Sequence, residues 1–282
     1  MDKLPYVNLG CGGHFDSRWV NIDFSKTGDG VIAHNLLNGI PASNNSFEVV
    51  YHSHVLEHFA KSDAIKFISE CYRVLKPNGI IRIAVPDLEQ IVYNYIRLLT
   101  IGKTDTGNTQ IRADYDWIMV EMYDQTVRNN WGGEMLNILL SEKLPNEEFI
   151  FNRIGAEARM IRESIVQPKQ VAVKTQLSIR KVLGRVKRSL SGNNLKHFLL
   201  KIILKKDYQQ YTIGKFRQSG EIHQWMYDSY SLTNLLTDAG FKNIEVKTFD
   251  TSAIPNWQAF GLDEMNGQVR KPDSLFVEAI KL

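Results

Sequence analysis

Residues 6–23 carry the most constraining feature of the chain: an apolar run, a glycine turn, and a second apolar run that ends in a carboxylate. The turn, residues 8–13 (NLGCGG), follows Tyr6 and Val7 directly, and the second run (WVNID) closes on Asp23. Glycine lets the backbone approach a ligand closely, and a carboxylate at the end of the neighbouring strand can accept from both ribose hydroxyls. The pattern therefore predicts a crevice for an adenosine-type cofactor.

The glycine turn lacks the residues that phosphate-binding loops need. A dinucleotide fingerprint requires a third glycine where this chain has Phe15, and the lysine and Ser/Thr of a P-loop are missing. We therefore expect a cofactor whose adenosine carries no phosphate.

Strand-like runs and helical patterns alternate along most of the chain. Seven apolar runs of strand type lie near residues 6–7, 19–23, 31–35, 47–51, 80–85, 243–249 and 274–280. Helical spacing of apolar residues occurs at 63–75, 88–99 and 231–239, and residues 76–79 (KPNG) are expected to stop the first of these helices. The pattern predicts an α/β fold with a doubly wound, mostly parallel, seven-stranded sheet covered on both faces.

The rhythm of strands and helices breaks off in the middle of the chain. We divide the sequence into a first part of the core (residues 1–101), a largely helical insertion after strand five (102–220) and a second part of the core (221–282). Because the first strand begins at once, no N-terminal helix is expected to cover the substrate. The insertion is therefore predicted to act as lid or wall and to set selectivity.

The positive charge of the chain is concentrated in that insertion. The net charge is +3, yet residues 164–206 contain eleven Lys or Arg and no acidic residue, so the rest of the chain carries −8. Residues 171–206 are predicted to form a basic amphipathic helical hairpin. We expect it either to rest on an anionic membrane surface or to pack on the core with its basic face in water. Nucleic acid is disfavoured, because aromatic residues are not interleaved with the basic ones.

Composition excludes several other classes of protein. There is no run of eighteen apolar residues and no signal-peptide pattern at Met1. We therefore expect a cytoplasmic protein, attached peripherally to the inner membrane face if the hairpin rests on the membrane. Cys11 and Cys71 are expected to be reduced thiols. Because no Cys/His cluster has the spacing of metal ligands, no metal is predicted.

Four motifs in this order resemble the class I S-adenosylmethionine-dependent methyltransferases, in particular the type 11 group and its members from bacterial surface-polysaccharide biosynthesis. They are residues 9–12 (LGCG), Asp23, residues 45–58 (NSFEVVYHSHVLEH) and residues 70–79 (ECYRVLKPNG). The resemblance implies a Rossmann-like methyltransferase sheet with S-adenosyl-L-methionine as cofactor. The chain departs from the family at Asn8 and Asn35, where an acidic residue is usual. Both amides keep hydrogen bonding but give up charge attraction.

The resemblance also implies which residues bind the cofactor. Residues 10–12 would hold the methionine portion, Asp23 the ribose, and Asn35 with Leu36 the adenine. Ser53 and His54 would lie beside the sulfonium. The full set implied is Asn8, Leu9, Gly10, Cys11, Gly12, Asp23, Phe24, Asn35, Leu36, Ser53, His54 and His58. For Glu57 and His58, capping and orienting a helix start is the competing interpretation.

A sulfonium methyl is already activated, so such an enzyme chiefly aligns the acceptor and excludes water. A hydroxyl acceptor must also lose its proton to a base within hydrogen-bond reach. Three catalytic candidates follow: His223, Asp87 and His54. Each of them competes with a purely structural hydrogen-bonding role.

Three hypotheses for function remain open at this level. The first is methylation of a sugar hydroxyl in a surface polysaccharide or lipid-linked glycan, which rests on family analogy. The second is methylation of a small metabolite or natural product. The third is a non-catalytic, membrane-associated protein with a degraded cofactor pocket, suggested by Asn8 and Asn35.

Overall fold

The structure is a computed structural model that describes residues 3–166 and 192–282. Seven strands form one sheet in the order β3, β2, β1, β4, β5, β9, β6. Their bounds are β1 Tyr6–Leu9, β2 Val20–Asp23, β3 Val31–Ala33, β4 Phe47–Ser53, β5 Leu75–Pro86, β6 Lys242–Lys247 and β9 Ser274–Ile280. Only β9 runs antiparallel to its neighbours in this sheet. The predicted α/β fold with a seven-stranded, mostly parallel sheet is confirmed.

Helices occupy the connections of the sheet and the region between β5 and β6. They are α1 Lys61–Val74, α2 Leu88–Thr104, α3 Thr109–Val127, α4 Gly133–Leu139, α5 Glu147–Ile154, α6 Ala156–Val166, α7 Gly192–Leu204, α8 Tyr208–Arg217 and α9 Ser229–Asp238. The described part of residues 102–220 contains no strand. Residues 167–191, which include most of the predicted basic hairpin, lie outside the described residues. In the two described ranges, no helix has both the length and the apolarity to cross a membrane.

Two local predictions differ from the structure. Residues 76–79 do not separate α1 from a strand at 80–85, because β5 begins at Leu75, which pairs with Phe47. The register shifts before Val49 pairs with Ile80, and Asn78 has a φ of 63°, so the predicted turn survives as an irregularity inside a longer strand. A short hairpin, β7 Glu264–Met265 with β8 Gln268–Val269, was not predicted.

Alternating side chains of the strands build a core on each face of the sheet. On one face α1 and α9 pack on the strands, through residues such as Ile68 and Leu236. On the other face an aromatic cluster covers the strands, formed by Tyr6, Trp19, Val49, Tyr51, Ile254, Trp257 and Leu262. Because both faces are buried at the centre of the sheet, the central strands β1, β4 and β5 are buried along most of their length rather than at alternate residues.

The insertion has a hydrophobic core of its own, built against α2. Its buried members are Ile91, Leu98, Trp117, Ile118, Met135, Leu139, Ile150, Ile154 and Ala158. A buried ion pair between Arg153 and Glu121 ties α5 to α3, and Arg153 also donates to Gln90 of α2 at 2.8 Å. The insertion is thereby fixed to the end of β5, where α2 begins.

Arg82 joins several segments on the aromatic face of the sheet through buried ion pairs. Its side chain is fully buried, and its guanidinium donates to Asp263 and Glu278 at 2.8 Å each. It also lies over the Trp257 ring, 4.4 Å from the centroid. Loss of one partner from such a network leaves the other charges buried and uncompensated, which costs much more than the pair contributes on balance.

We expect Arg82→Met to lower the free energy of unfolding by about 3–5 kcal/mol. The matched control is Lys66→Met, which removes an exposed ion pair with Asp63 at 2.9 Å and should change stability by less than about 0.5 kcal/mol. Urea denaturation of both variants measures the difference. Equal stability of the two variants would contradict the role given to Arg82.

Candidate active site

The order in which the chain adds strands to the sheet reverses between β1 and β4, and the candidate site lies at this point. From β1 the chain passes to β2 on one side, while β4 pairs with β1 on the other, all in parallel. In open α/β sheets, ligands bind beyond the carboxyl ends of the strands at such a switch point. The glycine turn after β1, Asp23 at the end of β2 and His54 after β4 all lie at this edge.

The glycine turn has a conformation that side chains would disturb. Gly10 and Gly12 have φ values of 65° and 55°, in the left-handed region. A Cβ on Gly10 would lie 2.3 Å from Val55 Cγ2, so the turn packs directly on the start of the segment after β4. A Cβ on Gly12 would meet nothing within 4 Å, so the backbone there faces open space.

Asp23 is tied to the glycine turn and keeps free acceptor capacity. The Gly12 N–H donates to Oδ2 at 2.8 Å, and the Ser25 N–H donates to Oδ1 at 3.1 Å. Each carboxylate oxygen can accept a further hydrogen bond, so the two can take a pair of ribose hydroxyls. The next residue, Phe24, is 72% exposed and offers an apolar ring beside them.

These residues fit an adenosine-type cofactor without phosphates. The turn carries no basic side chain. The buried Asn8 amide nitrogen has no partner among the described residues, so a donor is available under the turn. Asn35 accepts from the Leu37 N–H at 3.0 Å and thereby starts the 3-10 turn Leu36–Asn38 beyond β3. The Cys11 thiol is no nucleophile, because burial and the neighbouring Asp23 raise its pKa to about 11.

A cavity of about 570 Å³ opens from the glycine turn toward the insertion. The core contributes Gly12, His54, His58, Pro86, His223, Lys271 and Asp273, and the insertion with its exit adds Gln125, Arg128, Trp131, Gly132, Met135, Leu136, Leu139, Ile154, Glu157, Ile161 and Glu221. The volume lies within the range of about 300–1,000 Å³ that is typical of small-molecule sites. The insertion therefore forms one wall of this site.

Four side chains meet at one end of the cavity, and we call them the histidine–glutamate cluster: His54, Glu57, His58 and His223. His54 Nδ1 lies 3.2 Å from Glu57 Oε1, and His223 Nε2 lies 3.9 Å from the same oxygen. The rings of His58 and His223 stand edge to face with centroids 4.8 Å apart. Glu57, which lies between His54 and His58 in the sequence, is completely buried.

Backbone hydrogen bonds hold His223 in this cluster from far along the chain. The His223 N–H donates to the Gln125 carbonyl at 2.9 Å, and the Gln224 N–H donates to the Glu57 carbonyl at 2.7 Å. The His58 Nδ1 lies 3.2 Å from the Ile222 carbonyl. Residues 222–224 thus run between the end of α3 and the 3-10 turn Leu56–His58, which places His223 beside Glu57.

Burial keeps the cluster uncharged. Burial, helped by Arg128 and Lys271, lowers the pKa of His58 to about 4, and burial lowers the pKa values of His54 and His223 well below the ordinary value. Burial raises the pKa of Glu57 to about 8. The three imidazoles are therefore neutral at pH 7 and have lone pairs for a proton or a metal ion.

The three candidate bases differ in what the structure leaves free. Asp87 caps α2 by accepting from the Glu89 and Gln90 N–H groups at 3.0 and 3.3 Å, and it does not line the cavity. His54 lines the cavity, but its Nε2 is bonded to Ser274 at 2.8 Å. His223 also lines it, and its ring makes no hydrogen bond within the described residues. The geometry thus favours His223 and gives Asp87 a structural task.

Sequence reasoning missed most of the acceptor side of the cavity. Glu57 lies in the motif at residues 45–58, but only its burial in the structure distinguishes it from a residue that caps a helix. Gln125, Arg128, Trp131 and Lys271 gave no signal, because their surroundings have no local pattern. Ser53, predicted beside the cofactor, accepts from Arg270 at 3.1 Å at the end of β4.

Residues 8–83 match the type 11 methyltransferase domain family. A search of the curated proteins gave no match. Among solved structures, a methyltransferase of Thermotoga maritima described as a possible histamine N-methyltransferase is 11% identical, with a TM-score of 0.37 over 98% of this chain and 82% of its own. One of Archaeoglobus fulgidus is 11% identical, with a TM-score of 0.38 over 99% and 86%. Likenesses this low do not carry substrates over.

The sheet order, the glycine turn and Asp23 define an α/β enzyme that binds a nucleoside cofactor at the switch point. The family match shows that residues 8–83 form a methyltransferase domain, and S-adenosylmethionine is the cofactor that such a domain binds.

We expect Asp23→Asn to weaken binding of S-adenosylmethionine and of S-adenosylhomocysteine about 10- to 100-fold. A hydrogen bond to a charged group contributes about 1.5–3 kcal/mol, and 1.4 kcal/mol is tenfold in affinity. Isothermal titration measures both ligands. The control is Asp29→Asn, an exposed carboxylate in the β2–β3 loop, which should bind like the wild type. If Asp23→Asn binds equally well, Asp23 is not the ribose ligand.

Proposed function

We propose that the enzyme methylates a hydroxyl group of a sugar in a surface polysaccharide or its lipid-linked precursor. The observation that carries the proposal is the cavity of about 570 Å³ between the glycine turn and the insertion. When bound, S-adenosylmethionine supplies a methyl group that is already activated on a sulfonium. The chain's own residues then need to hold the acceptor, exclude water and activate its hydroxyl.

The lining of the cavity suits a polyhydroxylated acceptor. Gln125 and Glu157 supply hydrogen-bond donors and acceptors, and the exposed Trp131 ring offers a flat apolar surface for the C–H face of a sugar. The buried Nε–H of Arg128 has no partner among the described residues, so it can donate to an acceptor oxygen. An apolar natural product would leave these polar groups unpaired at considerable cost.

The histidine–glutamate cluster favours a hydroxyl acceptor. A hydroxyl must lose its proton as it is methylated, and His223 presents a neutral ring to the cavity. The cluster therefore matches what O-methylation needs on the acceptor side.

Helix α7 supports an acceptor located at a membrane. Its outer side exposes Phe198, Leu199, Ile202 and Ile203, between 48% and 71% of each side chain. Residues four apart lie on the same side of a helix, so these form one apolar stripe. Lys196 and Lys201 are also exposed, and Lys205 and Lys206 follow directly. An apolar stripe among lysines is typical of a helix that lies in an anionic membrane surface.

To test the acceptor, the enzyme is incubated with S-adenosylmethionine labelled in its methyl group and with cell-envelope lipid extract or soluble metabolites. We expect label in the lipid-extractable glycan fraction, stable to mild alkali, because an O-methyl ether survives where a methyl ester is hydrolysed. The Asp23→Asn variant is the control for enzyme-dependent labelling.

Label confined to soluble metabolites would instead support the alternative of a metabolite methyltransferase. Label lost in alkali would show a carboxylate acceptor and contradict the sugar hydroxyl.

For the membrane, we expect the wild type to co-sediment with vesicles containing anionic lipid and to be released by high salt. Phe198→Ser with Ile203→Ser should reduce binding at least about tenfold, because each buried side chain contributes about 1.5–3 kcal/mol. Tyr93→Ser, on α2 and 69% exposed, is the matched control and should bind as the wild type does. Equal binding of neutral and anionic vesicles would contradict the assignment.

A further inference from the structure

The carboxyl group of Glu57 is buried beside the cavity without a hydrogen-bond donor in the described part of the chain. Its side chain is fully buried, and neither carboxylate oxygen accepts a hydrogen bond within the described residues. His54 Nδ1 lies 3.2 Å from Oε1 but forms no hydrogen bond with it. A buried carboxyl group without a donor is costly unless it is protonated or bound to a cation. Glu57 lies behind His54, His58 and His223, which line the cavity.

Two imidazoles complete a set of three converging ligand atoms. One candidate ligand atom each from Glu57, His58 and His223 lies within 4.8 Å of the other two. Atoms bound to one transition metal at about 2.1 Å lie roughly 3 Å apart, so modest side-chain rotations would close the set.

The tautomer of His58 is also the one that a metal requires. Its Nδ1 lies 3.2 Å from the Ile222 carbonyl, and because a carbonyl only accepts, Nδ1 carries the proton. The lone pair is then on Nε2. A backbone carbonyl that holds the second ring nitrogen in this way is a usual companion of a metal-bound histidine.

We propose that Glu57, His58 and His223 bind one divalent transition-metal ion in the wall of the acceptor cavity. Two imidazole nitrogens and one carboxylate oxygen are ligands suited to Zn²⁺, Mn²⁺, Fe²⁺ or Co²⁺ rather than to Mg²⁺ or Ca²⁺. The ion takes the lone pair of His223 that would otherwise accept a proton. Its remaining positions face the cavity, because His58 and His223 both line it.

The binding of the ion does not depend on the proposed function, but its use does. A hydroxyl bound to such an ion would lose its proton more readily, and because His223 is then a ligand, the proton would pass to water in the cavity. The oxygen would take the methyl group as S-adenosylhomocysteine leaves, so the cluster would activate a sugar hydroxyl by coordination. The ion would also give the buried Glu57 carboxylate its missing counter-charge.

The test begins with metal binding in the absence of any methyl donor. The full chain is stripped with a chelator, dialysed against Co²⁺ or Zn²⁺, and analysed for metal content and for the visible absorption of Co²⁺. We expect one equivalent per chain and a spectrum typical of mixed nitrogen and oxygen ligands. His58→Ala and His223→Ala should weaken binding at least about 100-fold, while His197→Ala, on α7, should bind like the wild type.

Glu57→Gln keeps the size of the buried side chain and removes the carboxyl group that could bind a cation, so it tests the site with the least disturbance of the fold. We expect it too to weaken Co²⁺ binding about 100-fold while titration of S-adenosylmethionine remains as in the wild type. Less than 0.1 equivalent of metal in the reconstituted wild type, or full binding by the three cluster variants, would overturn the proposal.

Methyl transfer separates this proposal from the proposed function. Glycan methylation by a metal-free enzyme at the full rate would overturn the use of the ion in catalysis and leave His223 as a direct base. One bound equivalent of metal with no glycan methylation would overturn the proposed acceptor and leave the metal site in place.

Discussion

Gly10 has no side chain because Val55 fills the space in which one would stand. A Cβ there would lie 2.3 Å from Val55 Cγ2, which is far inside van der Waals contact. The contact joins the turn after β1 to the segment after β4, and that segment continues directly into Glu57 and His58. The glycine turn and the histidine–glutamate cluster are therefore positioned by the same packing contact.

The second constraint comes from the chain that returns from the insertion. Residues 222–224 form hydrogen bonds to Gln125 on α3 and to Glu57 after β4, so they fasten the insertion to the core at the site itself. Helices α2 to α6 share a separate hydrophobic core, and the buried ion pair between Arg153 and Glu121 joins α5 to α3 within it. Selectivity for the acceptor can then change through Trp131 or Arg128 without disturbing the cofactor turn.

The sequence was sufficient for the sheet and the cofactor turn, because these depend on local patterns. Apolar runs, turn glycines and Asp23 all lie within short stretches, and the last strand was predicted with the bounds that the structure has, Ser274–Ile280. The first helix ends at Val74, as predicted, but residues 76–79 belong to β5 because strand pairing holds them. The Lys281 N–H donates to the Gly79 carbonyl at 3.0 Å, and the Lys281 carbonyl accepts from the Asn78 N–H at 2.6 Å. Arg82 stood in an apolar strand without any sign that two acids from a distant segment would meet it.

The histidine–glutamate cluster shows why the functional site is harder to predict from the sequence than the fold is. His58 and Ile222, the chain neighbours of Glu57 and His223, are 164 positions apart. Sequence rules for metal ligands rest on short spacings, so none of them connects Glu57 with His223. Only the closed fold shows that the carboxyl lacks a donor and that the imidazoles are neutral. The pKa shifts of these groups also have opposite effects on stability. The buried histidines lower the free energy of unfolding as the pH falls below about 6.5, because their charged form is disfavoured in the fold. The buried Glu57 lowers it as the pH rises from about 4.5 to 8, because its ionised form is disfavoured there. At neutral pH a cation beside Glu57 relieves the second cost, and the neutral histidines can bind it without first losing a proton.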